Sequence, residues 1–492
     1  MATRAVHTAG LRLDSHKAMA MQRPLQLAAA PASAVVSLDQ GGGTTALPAV
    51  RTGMQVRVGT AIARPGNASS AIVHSPVAGI VRDIGLRDIP TASGHGLCIV
   101  IDNDGTDARD VPFAPVDWES LSPASLIEGI REAGIVGLGG AAFPTSAKLM
   151  AAREQSVEHL VVNGAECEPW ISCDDALMRE RAGDVVLGTQ VMMRACGARH
   201  ATIAIEDDKP EAMAAVQTAL SGARDERISL LALRALYPAG AERQLLAAVT
   251  GREVPHDALP PAVGLVCQNV GTAAAVAAWV RTGQPCISRI VTVTGGGVNR
   301  PTNLEARIGT ALSALVAECG GYCGHPQRLI AGGSMTGQAL RSDAVPLTKA
   351  INCVLVAADA DLAPRGPEMP CIRCGDCATA CPAGLLPQQL HRAALSDDAE
   401  LFERHGLADC IECGCCDYVC PSQIPLTSRF RAARGRAKAR REELQRAAEA
   451  RQRFEQRERR LAARAEAERC AFDEARRRAR GDDPPSGGTD AI

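Results

Sequence analysis

The chain reads Cys371-Ile-Arg-Cys-Gly-Asp-Cys-Ala-Thr-Ala-Cys-Pro382, and it repeats this pattern as Cys410-Ile-Glu-Cys-Gly-Cys-Cys-Asp-Tyr-Val-Cys-Pro421. In each copy, three cysteines follow one another at two-residue gaps, and a fourth cysteine stands directly before a proline. Two copies of one spacing predict two equivalent sites. Because thiolates are soft ligands, the sites are expected to hold soft transition-metal centres.

The spacing is that of bacterial two-cluster ferredoxins, in which the fourth cysteine of each copy ligates the other cluster. We therefore predict two 4Fe-4S clusters, so the protein moves electrons one at a time. The exchange of fourth cysteines assigns the ligands. The first cluster takes Cys371, Cys374, Cys377 and Cys420, and the second takes Cys410, Cys413, Cys416 and Cys381.

The alternative is a pair of zinc sites, because CxxC pairs also bind zinc. Three cysteines at two-residue gaps with a fourth before proline is not zinc spacing, so iron–sulfur clusters are favoured. Cys415 adjoins Cys416 and competes with it as a ligand, although its register fits the two-residue gap worse. Single cysteines elsewhere in the chain are expected to be buried free thiols.

Composition limits the class of protein further. Nineteen cysteines in a chain without a secretory signal indicate a reducing compartment. The net charge of −2 favours neither nucleic acid nor a membrane. Pro260 and Pro261 interrupt the longest uncharged stretch, so a membrane-spanning helix is not expected there. We predict a cytoplasmic protein that binds no nucleic acid and meets a membrane only from its surface.

The part of the chain before the cysteines predicts three domains of a multidomain α/β and β protein. Residues 1–118 show short alternating apolar runs between Gly and Pro, which predicts a barrel-sandwich-like, lipoyl-like β domain without a carrier lysine. Residues 119–285 alternate strands and helices, which predicts a Rossmann-like α/β domain with ligands at the carboxyl ends of its strands. Residues 286–358 resemble a soluble-ligand-binding β-grasp module.

Two further parts complete the predicted organisation. Residues 359–428 are a two-cluster ferredoxin-like α-helical domain, and residues 429–492 are a basic helical tail with a disordered end. Between Arg429 and Arg480 the tail holds 19 Lys or Arg against 9 Asp or Glu, a balance of +10. The tail is either a solvated helix with ion pairs four residues apart or a segment that lies on anionic lipid or a membrane partner.

A one-electron relay needs a donor. NADH delivers two electrons together as a hydride, so a flavin that separates them is expected upstream. The segment Gly134-Ile-Val-Gly-Leu-Gly-Gly-Ala-Ala-Phe-Pro-Thr-Ser-Ala-Lys148 is a candidate. Its glycines let the backbone approach a phosphate or a ring, and Lys148 offers a positive charge near a helix start. The alternative is a tight turn before a helix.

The glycine-rich segment resembles the FMN- and NADH-binding loop of the flavoprotein subunit of respiratory complex I. Later segments are similar, in order and type, to the other loops of that flavin site: Asn163-Gly-Ala-Glu-Cys-Glu-Pro169, Tyr237-Pro-Ala-Gly-Ala-Glu242 and Gln268-Asn-Val-Gly-Thr272. With the cysteine repeats and the β-rich start, the chain resembles the C subunit of the Rnf (Rsx) ion-translocating electron-transport complex over roughly residues 10–430.

This resemblance implies a role for each matching residue. FMN phosphate or the dinucleotide is held by the loop glycines and Lys148, the rings stack on Phe143, and acidic residues line the nucleotide pocket. The implied catalytic residues are Glu166, Glu168 and Phe143. The implied cofactor-binding residues are Gly137, Gly139, Gly140, Lys148, Asn163, Glu242, Asn269 and Thr272.

Each implied role has a plainer alternative, and two residues depart from the complex I loop. Leu138 stands where an arginine is usual, and Ala142 stands where a glycine is usual, so its methyl group is expected to crowd a closely approaching ring. Glu166 and Glu168 are alternatively surface carboxylates or helix-start residues favoured by the helix dipole. Phe143 is alternatively ordinary core.

The resemblance implies a peripheral subunit on the cytoplasmic face of the bacterial inner membrane. It passes electrons from NADH through FMN to two 4Fe-4S clusters, as part of a complex that couples transfer between NADH and ferredoxin to ion translocation. Its partners are cluster-bearing and integral-membrane subunits, and ferredoxin indirectly. The alternatives are a soluble flavin/iron–sulfur diaphorase subunit and a flavin-free relay that only docks a ferredoxin.

Overall fold

The computed structural model describes residues 10–40, 45–67, 70–91, 94–109, 113–362, 366–396 and 398–481. The chain forms two compact units. The larger one contains the chain up to Gln388 together with Asp409–Thr427, and the smaller one contains Gln389–Ala408 and the chain from Ser428 onward. The predicted disordered end of the tail, residues 482–492, lies outside the described residues.

The first elements of the larger unit fall within residues 1–118, but they do not join the two sheets of the β strands that follow. They are α1 (Ala18–Met21) and β1 (Gln26–Leu27). Strand β1 instead joins a later six-stranded sheet, and Leu11 pairs with Tyr237, whose carbonyl accepts from the Leu11 N–H at 2.8 Å. His16 stacks on Trp170 with ring centres 4.4 Å apart. Residues 11–27 therefore pack against elements that come later in the chain.

A small all-β part follows, as the alternating pattern predicts. Its strands are β2 (Ser33–Ser37), β3 (Leu47–Pro48), β4 (Gln55–Val56), β5 (Ala61–Arg64), β6 (Val73–His74), β7 (Gly79–Asp88) and β8 (His95–Asn103). They form a four-stranded sheet in the order β2-β8-β7-β4 and a three-stranded sheet in the order β3-β5-β6, and all pairs are antiparallel. Aliphatic residues fill the core between them.

The next part is a parallel sheet with helices. Its elements are α2 (Pro123–Glu132), α3 (Thr145–Glu154), β9 (His159–Gly164), α4 (Cys173–Cys196), β10 (His200–Glu206), α5 (Pro210–Ala223), β11 (Ile228–Leu233), α6 (Glu242–Thr250), β12 (Leu265–Asn269) and α7 (Val270–Thr282). Successive residues of β9 enter two different cores, because side chains alternate across a strand: Leu160 and Val162 face one core, and Val161 faces the other. The sheet is therefore covered on both faces.

The strand order of this sheet locates its ligand-binding edge. The order is β11-β10-β9-β12, and every neighbouring pair is parallel. The chain runs from β9 outward to β11 and then returns to the other side of β9 as β12. The order therefore reverses between β9 and β12, and crevices outside the carboxyl ends of strands at such a switch point bind ligands in open α/β sheets.

A second mixed sheet follows. Its elements are β13 (Ser288–Thr294), β14 (Thr302–Arg307), α8 (Leu312–Glu318), β15 (Arg328–Ala331), β16 (Gln338–Leu340) and β17 (Cys353–Ala357). The order is β1-β14-β13-β17-β15-β16. The larger unit ends with two one-turn helices, α9 (Asp376–Thr379) and α12 (Cys415–Tyr418), one in each cysteine copy.

The smaller unit is helical. It contains α11 (Ala399–Arg404) and most of α10 (Pro387–Ser396) and α13 (Leu426–Arg480). Residues 438–481 are exposed throughout, and ion pairs four residues apart, such as Arg451–Glu455 at 2.9 Å, lie along α13. None of the helices that the structure describes combines the length and apolar character that a membrane crossing needs.

Candidate functional site

The ends of β9 and β12 are joined by side-chain hydrogen bonds at the switch point. Asn269 is the last residue of β12 and caps α7, because its Oδ1 accepts from the Gly271 N–H at 2.8 Å. Its Nδ2 donates to Asp174 Oδ2 at 2.7 Å and to the Asn163 carbonyl at 3.4 Å. Asn163 in turn donates to the Gly240 carbonyl at 2.8 Å. The structure thus brings three of the sequence-predicted segments together.

The glycine-rich loop lies beside the start of α7. The Gly137 N–H donates to the Phe143 carbonyl at 2.8 Å, which closes the loop. The Leu138 N–H donates to Thr272 Oγ1 at 2.9 Å, and Thr272 is fully buried. Thr272 therefore anchors the loop to the first turn of α7, where backbone N–H groups and the helix dipole favour an anion.

One side of the loop is open. Gly140 has φ +117°, which L side chains rarely adopt, and a methyl group built there meets no atom within 4 Å. Phe143 is 42% exposed, so it is not ordinary core. Ala142 is buried in the hydrophobic core beside α3 and has φ +49°, the left-handed backbone that favours the glycine usual at this position, and its crowding of a ring stays a prediction. The open side is thus free for a flat ring or a phosphate.

Lys148 and Glu242 form an ion pair at this edge of the sheet. The Lys148 ammonium also donates to the Cys267 carbonyl at 2.9 Å. Burial lowers the pKa of Lys148, but the neighbouring Glu242 carboxylate and Cys267 more than offset it and leave that pKa raised. Lys148 therefore stays charged, and Glu242 fixes the position of its ammonium.

Glu166 lies at the start of α4. Its carboxylate accepts from the N–H groups of Asp174 at 2.6 Å and Asp175 at 3.2 Å, which is the helix-start arrangement that the sequence left as an alternative. Burial raises the pKa of Glu166 to about 8, against the lowering effect of the Lys17 charge. Burial also raises the pKa of Asp174, which its hydrogen bond with Asn269 opposes. Negative charge is thus costly at this point.

Glu168 contacts a different part of the molecule. Its carboxylate accepts from the N–H groups of Met335 at 3.0 Å and Thr336 at 2.8 Å, and from the Thr336 hydroxyl at 2.6 Å. These residues lie between β15 and β16 of the second sheet. The structure therefore gives Glu168 a set of partners that ties two domains together.

The residues around the loop fit a flavin mononucleotide. The hydroxyl of Thr145, the first residue of α3, and the Gln268 Nε2, one residue before Asn269, are both buried and have no hydrogen-bond partner among the described residues. Buried polar groups are usually paired, so orphans at a site indicate a missing ligand or water. With the open side of Gly140 and the start of α7, they offer donors and space to a phosphate and a ring.

The two cysteine copies fold alike. Arg373 and Glu412, which precede the second cysteine of each copy, both adopt left-handed backbone with φ +59° and +55°. The glycines that follow that cysteine, Gly375 and Gly414, also have positive φ, and each is directly followed by a one-turn helix. The structure therefore repeats the pseudo-symmetry of the sequence.

The donor set fits iron–sulfur clusters. All eight repeat cysteines are free thiols in the structure, and thiolates are the ligands that 4Fe-4S clusters take.

The second cysteine set contacts the domain of the parallel sheet. The Tyr237 hydroxyl donates to the Cys413 carbonyl at 2.6 Å, and Gln244 donates to the Pro382 carbonyl at 3.4 Å. Tyr237 and Cys415 share a small apolar core. The sulfur-bearing residues Cys371 and Cys374 of the first set are exposed instead. The second set is therefore hydrogen-bonded to the parallel-sheet domain.

Among the residues that sequence reasoning missed at this site, Arg289 is the one that comes from another sheet. It lies in β13, is 5% exposed, and donates to the carbonyl of Leu138 at 3.0 Å. The sequence contained a pattern that could have identified Arg289. It is the one charged residue of an otherwise uncharged strand-like stretch, Ser288-Arg-Ile-Val-Thr-Val-Thr294. Charged residues are almost never fully buried without a partner.

Four family descriptions match this chain in the order of its parts. The RnfC barrel sandwich hybrid domain matches residues 6–106, and the Nuo51 FMN-binding domain matches residues 130–278. The SLBB domain matches residues 290–339, and the 4Fe-4S dicluster domain matches residues 367–442. These matches confirm the predicted mixed α/β and β multidomain architecture, and they confirm FMN and iron–sulfur clusters as its cofactors.

Curated relatives cover most of the chain. The C subunit of the ion-translocating oxidoreductase complex of Pseudomonas aeruginosa is 47% identical over 92% of this chain and 58% of its own length. The corresponding protein of Yersinia enterocolitica is 39% identical over 93% of this chain and 64% of its own length. The chain thus spans about three-fifths of these two relatives.

Two further proteins resemble the chain. A solved chain of an NAD+-reducing [NiFe]-hydrogenase in its H2-reduced state is 21% identical, with a TM-score of 0.46 over 62% of this chain and 61% of that chain. The C subunit of the Rhodobacter capsulatus complex is 38% identical over 78% of this chain and 73% of its own length. The resemblance inferred from the motifs is confirmed, and the chain belongs to the family of C subunits of the ion-translocating oxidoreductase complex.

Proposed function

We propose that the chain is the electron-input component of a membrane-bound Rnf-type complex that couples electron transfer between NADH and ferredoxin to ion translocation. One observation carries the proposal. The glycine-rich loop, Asn163 and Asn269 meet at the switch point of the parallel sheet, and the same domain is hydrogen-bonded to the second cysteine set through Tyr237. FMN accepts electrons in pairs and gives them up singly, and each cluster carries one electron.

The residues at the switch point would hold the flavin. Backbone N–H groups of Gly139 and Gly140 and of the first turn of α7 would bind its phosphate, with Thr272 keeping the loop in place. Lys148, positioned by Glu242, would bind a phosphate of FMN or NADH. Phe143 is exposed enough to stack on a ring.

The acidic residues have separate proposed tasks. Glu166 lies at the start of α4 next to Asp174 and would line the nucleotide pocket, where its raised pKa lets it carry a proton near neutral pH. Glu168 would keep the loop after β15 in position next to the cysteine repeats, because its carboxylate is bound there by three donors. Asn163 would keep the Gly240 loop at the pocket.

The cysteine sets keep the assignment made from their spacing. One 4Fe-4S cluster would be bound by Cys371, Cys374, Cys377 and Cys420, and the other by Cys410, Cys413, Cys416 and Cys381. The contact between Tyr237 and Cys413 supports the second set as the entry point from the flavin. Exposure of Cys371 and Cys374 supports the first set as the exit toward a cluster-bearing partner.

The partners and location are part of the same proposal. The chain would lie on the cytoplasmic face of the bacterial inner membrane and bind cluster-bearing and integral-membrane subunits, with ferredoxin as an indirect partner. Its relatives are named subunits of a complex, and the +10 balance between Arg429 and Arg480 suits an anionic lipid surface or an acidic partner.

We keep the domain boundaries inferred from the sequence and add a role for the segment before β2. We propose a barrel-sandwich domain within 1–118, a Rossmann-like FMN and NADH domain at 119–285, a β-grasp module at 286–358, a ferredoxin-like domain at 359–428 and a basic tail at 429–492. The segment before β2 would serve as a strap on the later domains, because Leu11 and β1 pair there.

The decisive experiment measures flavin binding and electron entry together. The full chain is purified, its clusters are reconstituted, and FMN is titrated while its fluorescence is followed. We expect saturable uptake of one FMN per chain and NADH-dependent dye reduction that requires it. A chain with intact clusters that takes up no FMN and oxidises no NADH would contradict the proposal and leave a flavin-free relay.

A further inference from the structure

Arg289 is a buried cation that the roles described so far do not use. Its guanidinium donates to three backbone carbonyls, those of Leu138 at 3.0 Å, of Ile290 at 3.0 Å, and of Lys349. Its side chain belongs to β13 of the second sheet, whereas Leu138 belongs to the glycine-rich loop of the flavin domain. The contact therefore crosses from one domain to the loop of another.

Arg289 and Thr272 hold the same residue from two directions. The Leu138 N–H donates to Thr272 Oγ1 at 2.9 Å, and the Leu138 carbonyl accepts from Arg289. Both hydrogen bonds fix the backbone directly before Gly139, which packs against Asn269, and Gly140, which forms the open side of the loop. Any movement of Leu138 would displace the N–H groups that face this side.

The positive charge of Arg289 also lies near a cluster of acidic side chains. Glu166, Cys173 and Asp174 offer ligand-type atoms within 4.8 Å of one another beside the switch point, and two of these residues are carboxylic acids. Arg289 and Asp174 lie close enough to attract one another, because each shifts the pKa of the other toward its charged form. Leu138 itself brings no charge to the loop.

A buried guanidinium is costly unless it is hydrogen-bonded and paired with an opposite charge. The hydrogen bonds of Arg289 go to neutral carbonyls, and Asp174 supplies the nearby opposite charge. Anchoring a loop needs only a neutral donor, and Thr272 already supplies an anchor of this kind. A positive charge behind the loop is useful when an anion binds in front of it. The phosphate of FMN, and the negative charge that a flavin gains on reduction, are anions of this kind.

Resting on the proposed function, we propose that Arg289 is a positioning residue of the flavin site. It holds the Leu138 carbonyl so that the following amides face the FMN phosphate, and its charge offsets Asp174 so that the pocket accepts an anion. Through Arg289, the second sheet becomes part of the flavin site without contacting the flavin.

The test uses the full chain with reconstituted clusters and three variants. R289M removes the charge and the donors, and R289K keeps the charge but not the forked contacts. R307M is the matched control, because Arg307 lies in β14 of the same sheet and pairs with Asp107 at 2.6 Å, away from the loop. FMN affinity is measured by fluorescence titration, and the flavin midpoint potential is measured at saturating FMN.

We expect R289M to bind FMN at least tenfold more weakly and to shift the potential to more negative values, because a buried positive charge favours the reduced flavin. R289K should lose less affinity and keep the potential, and R307M should match the wild type in both. An R289M affinity within twofold of wild type, or an unchanged potential, would overturn the assignment and leave Arg289 a structural role.

The assignment can still be tested if the R289M variant fails to fold. If R289M does not fold, R289K decides the question, because it keeps the charge but loses the forked contacts that hold the Leu138 carbonyl. We then expect R289K to bind FMN more than twofold more weakly with an unchanged potential, and an affinity within twofold of wild type would overturn the assignment. A wild-type chain that takes up no FMN would instead refute the proposed function and this assignment with it. The two failures are therefore distinguishable.

Discussion

Replacing Tyr237 by phenylalanine is expected to loosen the second cysteine set and spare the first. The substitution removes one atom, the hydroxyl oxygen that donates to the Cys413 carbonyl at 2.6 Å. Tyr237 is 4% exposed and packs against Cys415 in a small apolar core, so water cannot easily take the place of the lost donor. The Cys413 carbonyl then loses this partner.

The size of the effect follows from that geometry. An acceptor left without its partner in a buried position costs about 1–3 kcal/mol. Because 1.4 kcal/mol is a factor of ten in an equilibrium constant, local opening of the second set should become about 5- to 150-fold more frequent. Opening exposes the cluster to chelators, so the rate at which that cluster is lost should rise by a similar factor when opening is in fast equilibrium.

The assay follows each cluster separately by electron paramagnetic resonance during incubation with an iron chelator. Tyr418→Phe is the matched control, because Tyr418 belongs to the same repeat and is 63% exposed. We expect rapid loss of one signal in Tyr237→Phe and wild-type behaviour in Tyr418→Phe. Equal lifetimes of the two clusters in Tyr237→Phe, or lifetimes like those of the wild type, would refute the placement of the second set against Tyr237.

Three further predictions concern the clusters, the loop and the pH dependence. Cys374→Ser should remove one 4Fe-4S signal and leave the other, and loss of neither would contradict the ligand assignment. Gly140→Ala should weaken FMN binding about tenfold or more, because it places a side chain at φ +117° on the open side of the loop, whereas Gly222→Ala in α5 should bind FMN normally in the same titration. Glu166→Gln should flatten the pH dependence of stability. Burial raises the pKa of Glu166 from 4.5 to about 8, so between these values the folded chain binds a proton that the unfolded chain has released, and wild-type stability falls as the pH rises. Urea unfolding from pH 5 to pH 8 measures the slope, and equal slopes in variant and wild type would count against a raised pKa.

The cysteine repeats show how much of a metal site can be predicted from residue spacing alone. Ligands of one cluster must approach a common centre, so gaps of two and three residues are a direct record of that geometry. The backbone agrees with it, because Arg373 and Glu412 adopt the same left-handed conformation at matching positions. The glycine-rich loop was similarly recognisable, since a close backbone approach leaves few residue types allowed.

Other features had no local record. The position of residues 10–27 depends on backbone pairing with Tyr237 and β14. Hydrogen bonds between backbones require few particular residue types, so the sequence does not show them. The partners of Glu168 were unpredictable for the same reason. Met335 and Thr336 are more than 160 residues away and bind it partly through their backbone N–H groups. The buried position of the Ala142 methyl also depended on packing against distant residues.

By itself, the sequence determined the succession of α/β and β parts and predicted the cluster ligands and the loops of a flavin site, because spacing and periodicity are local properties. Only the tertiary structure decided which cysteine set is hydrogen-bonded to the parallel-sheet domain, which backbone groups Glu166 and Glu168 bind, and that Arg289 of another sheet holds Leu138. Such contacts join residues far apart in the chain, and only the folded packing brings them within hydrogen-bonding distance.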